Sequence, residues 1–342
     1  KTIGCVWLPS KIINPETKIS TNSKYTAQIS GSIAFDTLLS FQGKFSDHIL
    51  PDQKASINVA FLAPKMRKEF GGCAANIAYN LNAIGDTCIV LGSVGKDSIE
   101  YIDRFKTLGI DTSQLIKCPI EYTAQAFITT DEDGNQITSF HPGAMMNGKI
   151  STLSNIKTNI GIVSPNSHHA MTKNAEDFFD RNINFIFDPG QALPMFEIDE
   201  LAQFISKSTW VAVNENEGNM LSKKIGISLE KLPHNLLSNK LGCVFQTLGK
   251  KGCMVFSLEQ STLIRPIEVA NTVDPTGCGD AFRAGILYGL ARGFSPEDSA
   301  RIGNILGSIK VQTEGGQNHS VNLNDISKLL RENYPDSNIK LF

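Results

Sequence analysis

The 342-residue sequence predicts an α/β fold with a mostly parallel central sheet and a small β lid. Short apolar runs at 184–188, 209–213 and 243–247 recur in a strand–helix rhythm, which is typical of parallel sheets. Each run ends in a polar or Gly-rich tail, where open parallel sheets bind their ligands. One stretch, 122–142, interrupts the rhythm with two alternating segments around Asp133-Gly134, and it predicts a hairpin that serves as a lid.

The chain is expected to form one domain over residues 25–335. Residues 1–24 have mixed composition and no long apolar run, and they predict an N-terminal extension outside the fold rather than a signal peptide. Residues 25–39 predict a first strand that enters a Gly-Ser turn, with Asp36 beyond it. Parts of 33–62 are rich in turn residues and are expected to contribute short strands to the lid.

Composition narrows the classes of function. The chain is 41% hydrophobic and 19% charged with a formal net charge of −2, so a nucleic-acid-binding surface is not expected. No apolar stretch approaches the roughly 20 residues that cross a bilayer. Seven scattered cysteines without a C-x-x-C pair indicate reduced thiols and a cytoplasmic location.

A Gly-Gly turn at 71–72 is predicted to lead into a helix. Gly85 stands where the C-terminal cap of that helix is expected, and the apolar positions of its buried face are Ile77, Ala78, Leu81 and Ile84. Asn76 falls in the first turn, where it either bonds to backbone or contacts a ligand.

Residues 274–285 (DPTGCGDAFRAG) predict a Gly-rich turn that opens a helix. Gly277 and Gly279 permit a tight turn whose amides, together with the helix dipole, form an anion site. Asp280 stands at the mouth of this site. Its carboxylate either caps the helix or acts as a general base towards an acceptor hydroxyl during phosphoryl transfer.

Further polar motifs follow the strands in order: Asp188 to Gln191 (DPGQ), Asn214 to Glu217 (NENE) and Thr247 to Gly252 (TLGKKG). There is no Walker A motif and no G-x-G-x-x-G after the first strand, which disfavours P-loop NTPases and NAD-dependent Rossmann enzymes. In combination, these motifs resemble those of the ribokinase-like (PfkB) sugar and nucleoside kinases over about residues 25–330. The resemblance implies a ribokinase-like three-layer sandwich.

A narrower likeness is to the ribokinase-type adenosine kinases of bacteria, through the segments 30–36 (SGSIAFD), 41–45 (FQGKF), 139–145 (SFHPGAM) and 279–285 (GDAFRAG). It implies ATP- and Mg²⁺-dependent phosphorylation of the ribose 5′-hydroxyl of adenosine to AMP, a step of purine salvage. Ala60 and Ala126 depart from this group, in which larger or polar residues stand there. The alternatives are a ribose- or fructose-type sugar kinase and a non-catalytic nucleotide-binding regulator on the same fold.

The resemblance also implies roles for individual residues. Asp280 would be the general base, and the anion hole would consist of the amides of Gly277, Cys278 and Gly279. The nucleoside would be bound by Ser32, Asp36, Gly72, Asn76, Phe140 and Gln191. ATP would be bound by Asn214, Thr247, Leu248, Gly249, Lys250, Lys251 and Gly252. Glu217 would hold Mg²⁺ through water. Arg283 would either reach a phosphate or the substrate, or form a surface salt bridge. The resemblance also implies a homodimer in which the lids of two subunits pair.

Overall fold

A computed structural model of the chain describes residues 25–48, 59–234, 241–337 and 339–341. Its strands are β1 Thr26–Ser30, β2 Ala34–Ser40, β3 Lys65–Gly71, β4 Thr87–Leu91, β5 Ser93–Val94, β6 Ile116–Lys117, β7 Ala124–Thr130, β8 Gln136–His141, β9 Ile160–Val163, β10 Phe185–Phe187, β11 Trp210–Asn214, β12 Cys243–Thr247, β13 Cys253–Ser257 and β14 Ser261–Ile264. Its helices are α1 Cys73–Ala83, α2 Ile99–Leu108, α3 His168–Asp180, α4 Ile198–Lys207, α5 Glu215–Ile225, α6 Cys278–Ala291, α7 Pro296–Lys310 and α8 Leu323–Asn333. In this described part, no helix is both long and apolar enough to span a bilayer.

The central sheet has eight strands in the order β14-β13-β12-β11-β10-β9-β1-β4. The strands from β4 to β12 in this order are parallel, whereas β13 and β14 are antiparallel additions at one edge. β10, β11 and β12 lie within the runs predicted from sequence or one residue beyond them. β12 and β13 form a hairpin, with Thr247 opposite Cys253. The predicted mostly parallel sheet is therefore confirmed.

Both faces of the central sheet are buried. Along β11, Ala212 belongs to one hydrophobic core, and its neighbours Val211 and Val213 belong to the other. The first core is closed by α1, α2, α6, α7 and α8, and the second by α3, α4 and α5. Since successive side chains of a strand point to opposite faces, this alternation confirms three layers.

A second sheet has the strand order β3-β2-β7-β8. β7 and β8 form the predicted hairpin, whose turn contains Gly134 at a φ of +82°. β2 pairs with β7 in parallel and with β3 antiparallel. β3 lies beyond the segment 33–62 that was expected to contribute to the lid. It was not predicted, because its charged sequence (KMRKEFG) lacks the apolar alternation of a strand. Residues 49–58 of that segment, and the extension 1–24, lie outside the described residues.

Glycine fixes the start of helices α1 and α6. Gly72, the N-cap of α1, has a φ of +90°, and a Cβ atom there would lie 2.6 Å from the Ala34 nitrogen. Gly277, the N-cap of α6, adopts the left-handed conformation with a φ of +79°. An L side chain would be strained at both positions, so the Gly-rich turns predicted from sequence have a conformational reason.

Helices α6 and α7 cross at two glycines. A Cβ atom at Gly285 would lie 2.5 Å from both the nitrogen and the Cα of Gly303, so these backbones are in direct contact. The absence of a side chain at both positions permits this close approach. α7 begins at Pro296, because Ser295 caps it by accepting from the Asp298 amide at 3.0 Å. α8 was not predicted.

We expect Gly285→Ala to lower the free energy of unfolding by about 2 kcal/mol, because the added methyl group forces two backbones apart. Urea denaturation would measure this change. Gly307→Ala is the matched control on α7: its Cβ atom would meet only the Cys278 carbonyl oxygen, at 3.6 Å. This control should be neutral or slightly stabilising. Equal effects of the two changes would show that backbone contact is not what requires glycine at 285.

Candidate active site

A cleft of about 540 Å³ lies where β10, β11 and β12 end and α6 begins. This is the edge of a parallel sheet at which the strand-end motifs predicted a ligand site. The predicted site residues that line it are Gln191, Asn214, Glu217, Thr247, Leu248, Gly249, Gly277, Gly279 and Asp280. The structure therefore brings together residues from four separate motifs.

Asp280 lies in the first turn of α6, and its carboxylate accepts a hydrogen bond from Asn76 on α1, with 2.8 Å between Nδ2 and Oδ2. Burial raises the pKa of Asp280 to about 7, although the Asn76 hydrogen bond and the charge of Arg283 oppose the rise. A carboxylate with this pKa exchanges its proton near neutral pH, which suits a general base better than a helix cap. Asn76 thus bonds to the acid beside it.

Two of the three residues whose amides are predicted to form an anion hole, Gly277 and Gly279, line the cleft at the positive end of the α6 dipole. The Cys278 amide instead donates to the Pro275 carbonyl at 3.1 Å and closes the turn. The first-turn amides of a helix have no partner within the helix, so this end of α6 is suited to an anion.

Asp36, Ala126 and Phe140 form one row across β2, β7 and β8 of the second sheet, and their side chains share a face. Phe140 is 51% exposed and is not among the residues that line the cleft. The pKa of Asp36 is raised to about 6, first by burial and then by the charges of Asp274 and Glu69. This row defines a second polar and aromatic surface.

Ser32 and Gly72 have structural roles at the start of α1. The Ser32 hydroxyl oxygen accepts from the Cys73 amide at 3.0 Å, and the Ser32 carbonyl accepts from the Ala74 amide at 3.1 Å. Gly72 permits these contacts, because a Cβ atom there would lie 2.6 Å from the Ser32 carbonyl oxygen. Their predicted contacts with a nucleoside stay predictions.

Asn214 and Glu217 form a reciprocal cap at the start of α5. The Asn214 side chain accepts from the Glu217 amide at 2.9 Å, and Glu217 accepts from the Asn214 amide at 2.8 Å and from its Nδ2 at 2.7 Å. Burial and the charge of Asp188 raise the pKa of Glu217. Both oxygens of this acid are therefore engaged while it faces the cleft.

The loop from Thr247 to Gly252 divides into two parts. Thr247, Leu248 and Gly249 line the cleft, whereas Lys250 and Lys251 are exposed outside its lining. The Lys251 ammonium lies 3.7 Å from a Glu215 oxygen, a pair at the surface. The start of the loop therefore belongs to the cleft, and its two lysines lie at the surface.

Arg283 does not form the surface salt bridge considered from sequence. It is 6% exposed, and its guanidinium binds both carboxylate oxygens of Asp188 at 2.7 Å. Its Nη1 donates to the Gly279 carbonyl at 3.1 Å. Its Nη2, which also binds Asp188, lies 3.8 Å from a Glu217 oxygen. Asp188 was missed as a site residue, although a carboxylate directly after a buried strand was a usable signal.

A helix amino terminus, a buried carboxylate and polar strand ends around one cleft are features that suit a phosphotransferase of the kinase class. The family model described as pfkB family carbohydrate kinase matches residues 39–323, and the chain belongs to this family. The resemblance drawn from the motifs is thereby confirmed.

Nucleoside kinases are among the individual relatives. One from Methanocaldococcus jannaschii is 30% identical over 279 residues, which are 80% of this chain and 88% of that protein. The structure of a Burkholderia thailandensis nucleoside kinase in complex with inosine has a TM-score of 0.80 and 35% identity, and the match covers 90% of this chain and 98% of that one. Its ADP-inosine complex has a TM-score of 0.77 and 37% identity, covering 90% and 96%.

We expect Asp188→Asn to lower the free energy of unfolding by about 3–5 kcal/mol, because it leaves the buried guanidinium of Arg283 without its counter-charge. Urea denaturation at pH 7 would measure the loss. The matched control is Asp103→Asn, which removes an exposed ion pair with Lys106 on α2 and should change stability by less than about 0.5 kcal/mol. A loss below about 1 kcal/mol for Asp188→Asn would contradict the structural role of the pair.

Proposed function

We propose that the protein transfers the γ-phosphoryl group of ATP to the ribose 5′-hydroxyl of a purine nucleoside, with adenosine as the acceptor predicted from sequence and AMP as its product. The observation that carries this proposal is Asp280: a buried carboxylate with a pKa of about 7, beside the amino end of α6. The inosine and ADP-inosine complexes of the Burkholderia relative support a nucleoside acceptor.

In the proposed reaction, Asp280 accepts the proton of the attacking hydroxyl as the bond to phosphorus forms. Its ionised form is the active one, so the rate should rise with pH through about 7. The amides of Gly277, Cys278 and Gly279 stabilise the transferring group, and the Cys278 amide must leave or share its bond to Pro275 to take part. Alignment and charge stabilisation supply most of the acceleration, because phosphoryl transfer has a loose transition state.

ATP is proposed to occupy the part of the cleft beside β11 and β12. Asn214, Thr247, Leu248 and Gly249 would contact its phosphates and ribose, while Lys250, Lys251 and Gly252 complete the loop, with both ammonium groups attracting the polyanion. Glu217 fits an acid that holds hydrated Mg²⁺ through water, because Asn214 already engages both of its oxygens. Bound Mg²⁺ would neutralise part of the phosphate charge.

The nucleoside is proposed to lie between the cleft and the second sheet, which would act as a lid. The Asp36 carboxylate would accept from the ribose hydroxyls, together with contacts from Ser32, Gly72 and Asn76. Phe140 stands two strands from Asp36 on the same face, or roughly 10 Å away at normal strand spacing. A purine could therefore extend from the ribose towards Phe140, with Gln191 at its edge.

A sugar kinase is the second candidate. Its support is that two residues proposed to contact the ribose are buried (Asn76) or half-buried (Asp36), whereas the predicted base-stacking residue Phe140 is exposed. The description of the family as carbohydrate kinases also fits it.

We also propose a cytoplasmic homodimer. Met66, Phe127 and Ile137 are exposed on the face of the second sheet opposite to Asp36, and they would be covered if two lids paired. The six cysteines among the described residues are free thiols, which agrees with a reducing compartment.

We expect Asp280→Asn to lower kcat by about 10²–10⁴-fold while nucleoside affinity is retained, because the amide keeps the shape but accepts no proton. Coupled ADP release would measure kcat, and calorimetry would measure binding. The same change at Asp103, far from the motifs of the cleft, is the control. A kcat within about threefold of the unchanged protein would remove Asp280 from the role of base.

A panel of acceptors tests the substrate. Adenosine and inosine should support ADP release, while ribose and fructose should not. Asp36→Ala should raise the KM for the nucleoside by about 10–100-fold, the effect of losing hydrogen bonds to a charged group, with little effect on the KM for ATP. Faster turnover of a sugar would favour the second candidate, and tight ATP binding without any phosphorylated product would favour a non-catalytic regulator.

A further inference from the structure

A buried line of hydrogen bonds reaches Asp280 from the loop after α7. Gln317 donates from Nε2 to the Asn76 Oδ1 at 3.0 Å, and Asn76 donates from Nδ2 to Asp280 at 2.8 Å. On its other side, the Gln317 Oε1 accepts from the Arg104 Nε at 3.2 Å. Gln317 and Asn76 are only 2% and 4% exposed, so water is largely excluded from these bonds.

The chemistry of these groups gives the line a direction. A guanidinium has donors and no acceptor, so Arg104 requires an oxygen from the Gln317 amide. The amide nitrogen of Gln317 then faces Asn76 and requires an oxygen there in turn. With its oxygen turned to Gln317, the Asn76 side chain directs its nitrogen to Asp280. The carboxylate therefore meets a hydrogen-bond donor.

Neighbouring groups hold the same orientation. Gln317 Nε2 also donates to the Tyr101 hydroxyl at 3.0 Å, and Tyr101 donates onward to the Gly71 carbonyl at 2.5 Å. Arg104 also donates from Nη2 to the main-chain carbonyl of Gln317, at 2.5 Å. A Cβ atom at Gly316 would lie 2.7 Å from the Asn76 Oδ1, so glycine there lets the loop reach Asn76.

We propose that Arg104 and Gln317 are positioning residues, which fix the side-chain amide of Asn76 with its nitrogen towards Asp280 and so keep the ionised form of this carboxylate available. We name the line Arg104–Gln317–Asn76–Asp280 the amide relay. Neither Arg104 nor Gln317 contacts Asp280; both act through Asn76. The link from Tyr101 to Gly71 connects the relay to the end of β3 in the second sheet. The catalytic consequence rests on the proposed role of Asp280 as base.

Removal of the relay has a defined electrostatic effect. The Asn76 hydrogen bond lowers the pKa of Asp280 against the larger effect of burial. If Asn76 turns its oxygen to the carboxylate, the charged form loses a donor and meets an acceptor, and the pKa rises. The other charged or titratable groups that act on Asp280 or feel its charge are Arg283, Asp188, Asp36, Cys73, Cys278 and Tyr101, none of which the change at Gln317 removes.

The test is Gln317→Met, which keeps the length of the side chain and removes its amide. The pKa of Asp280 would be measured by ¹³C NMR on protein labelled at the aspartate carboxyl carbon, with the signal identified by its loss in Asp280→Asn. We expect the pKa to rise by about half a unit to one unit. In parallel, kcat/KM for the accepted nucleoside should fall by about 3–10-fold at pH 6 and change little at pH 9, where Asp280 is ionised in both proteins.

Gln312→Met is the matched control, because the Gln312 side chain donates to the Ser308 carbonyl at the end of α7 and this change should leave the Asp280 pKa unchanged. A second route is Arg104→Met, which changes a half-buried side chain and should raise the pKa in the same direction even if Gln317→Met fails to fold. In an Asn76→Ala background, neither change should raise the pKa further. This background separates the relay from a simple loss of the Arg104 charge, whose effect would persist there.

An unchanged Asp280 pKa in folded Gln317→Met and Arg104→Met would overturn the proposal, as would a rise that persists in the Asn76→Ala background. A uniform loss of activity at pH 6 and pH 9 with an unchanged pKa would mean that Gln317 only stabilises the fold. Because the NMR titration needs no substrate, these outcomes are distinct from a failure of the proposed kinase function, which Asp280→Asn would reveal.

Discussion

The buried ion pair between Arg283 and Asp188 connects the two halves of the cleft. Asp188 follows β10, and Arg283 lies one turn into α6, so their contact sets the start of this helix against the carboxyl ends of the strands. The same guanidinium binds the Gly279 carbonyl and lies near Glu217. Arg283 therefore contacts the start of α6, the cap of α5 and the DPGQ turn. Its burial is tolerated because Asp188 binds the guanidinium with two hydrogen bonds.

Around this pair, the cleft and the neighbouring Asp36 of the second sheet carry more carboxylates than cations. Burial raises the pKa of Asp36, Glu217 and Asp280, each beside at least one further carboxylate. Such a set disfavours a bare polyanion and favours an anion that arrives with its own cations. The neighbouring carboxylates Asp188 and Asp36 also help to raise the pKa of Asp280 to about 7, whereas Asn76 and Arg283 lower it.

Local patterns in the sequence carried much of the fold. β10, β11 and β12 are apolar runs buried on both faces, and the turns at Gly72 and Gly277 require positive φ angles, so both features are visible without tertiary information. β3 was missed because its exposed, charged residues lack the apolar alternation of a strand, and it is stabilised by pairing with β2. The partner of Arg283 was missed because Asp188 is 95 residues away in the chain.

The sequence by itself determined the α/β class, the kinase family and the motifs that line the cleft, because short-range patterns of hydrophobicity, glycine and carboxylate encode them. Only the tertiary structure decided which side chains meet. It placed Asn76 on Asp280, engaged Asn214 with Glu217, buried Arg283 against Asp188 and left Phe140 outside the cleft. These outcomes depend on packing between elements distant in sequence, where burial changes both the hydrogen-bond partners and the proton affinity of each group.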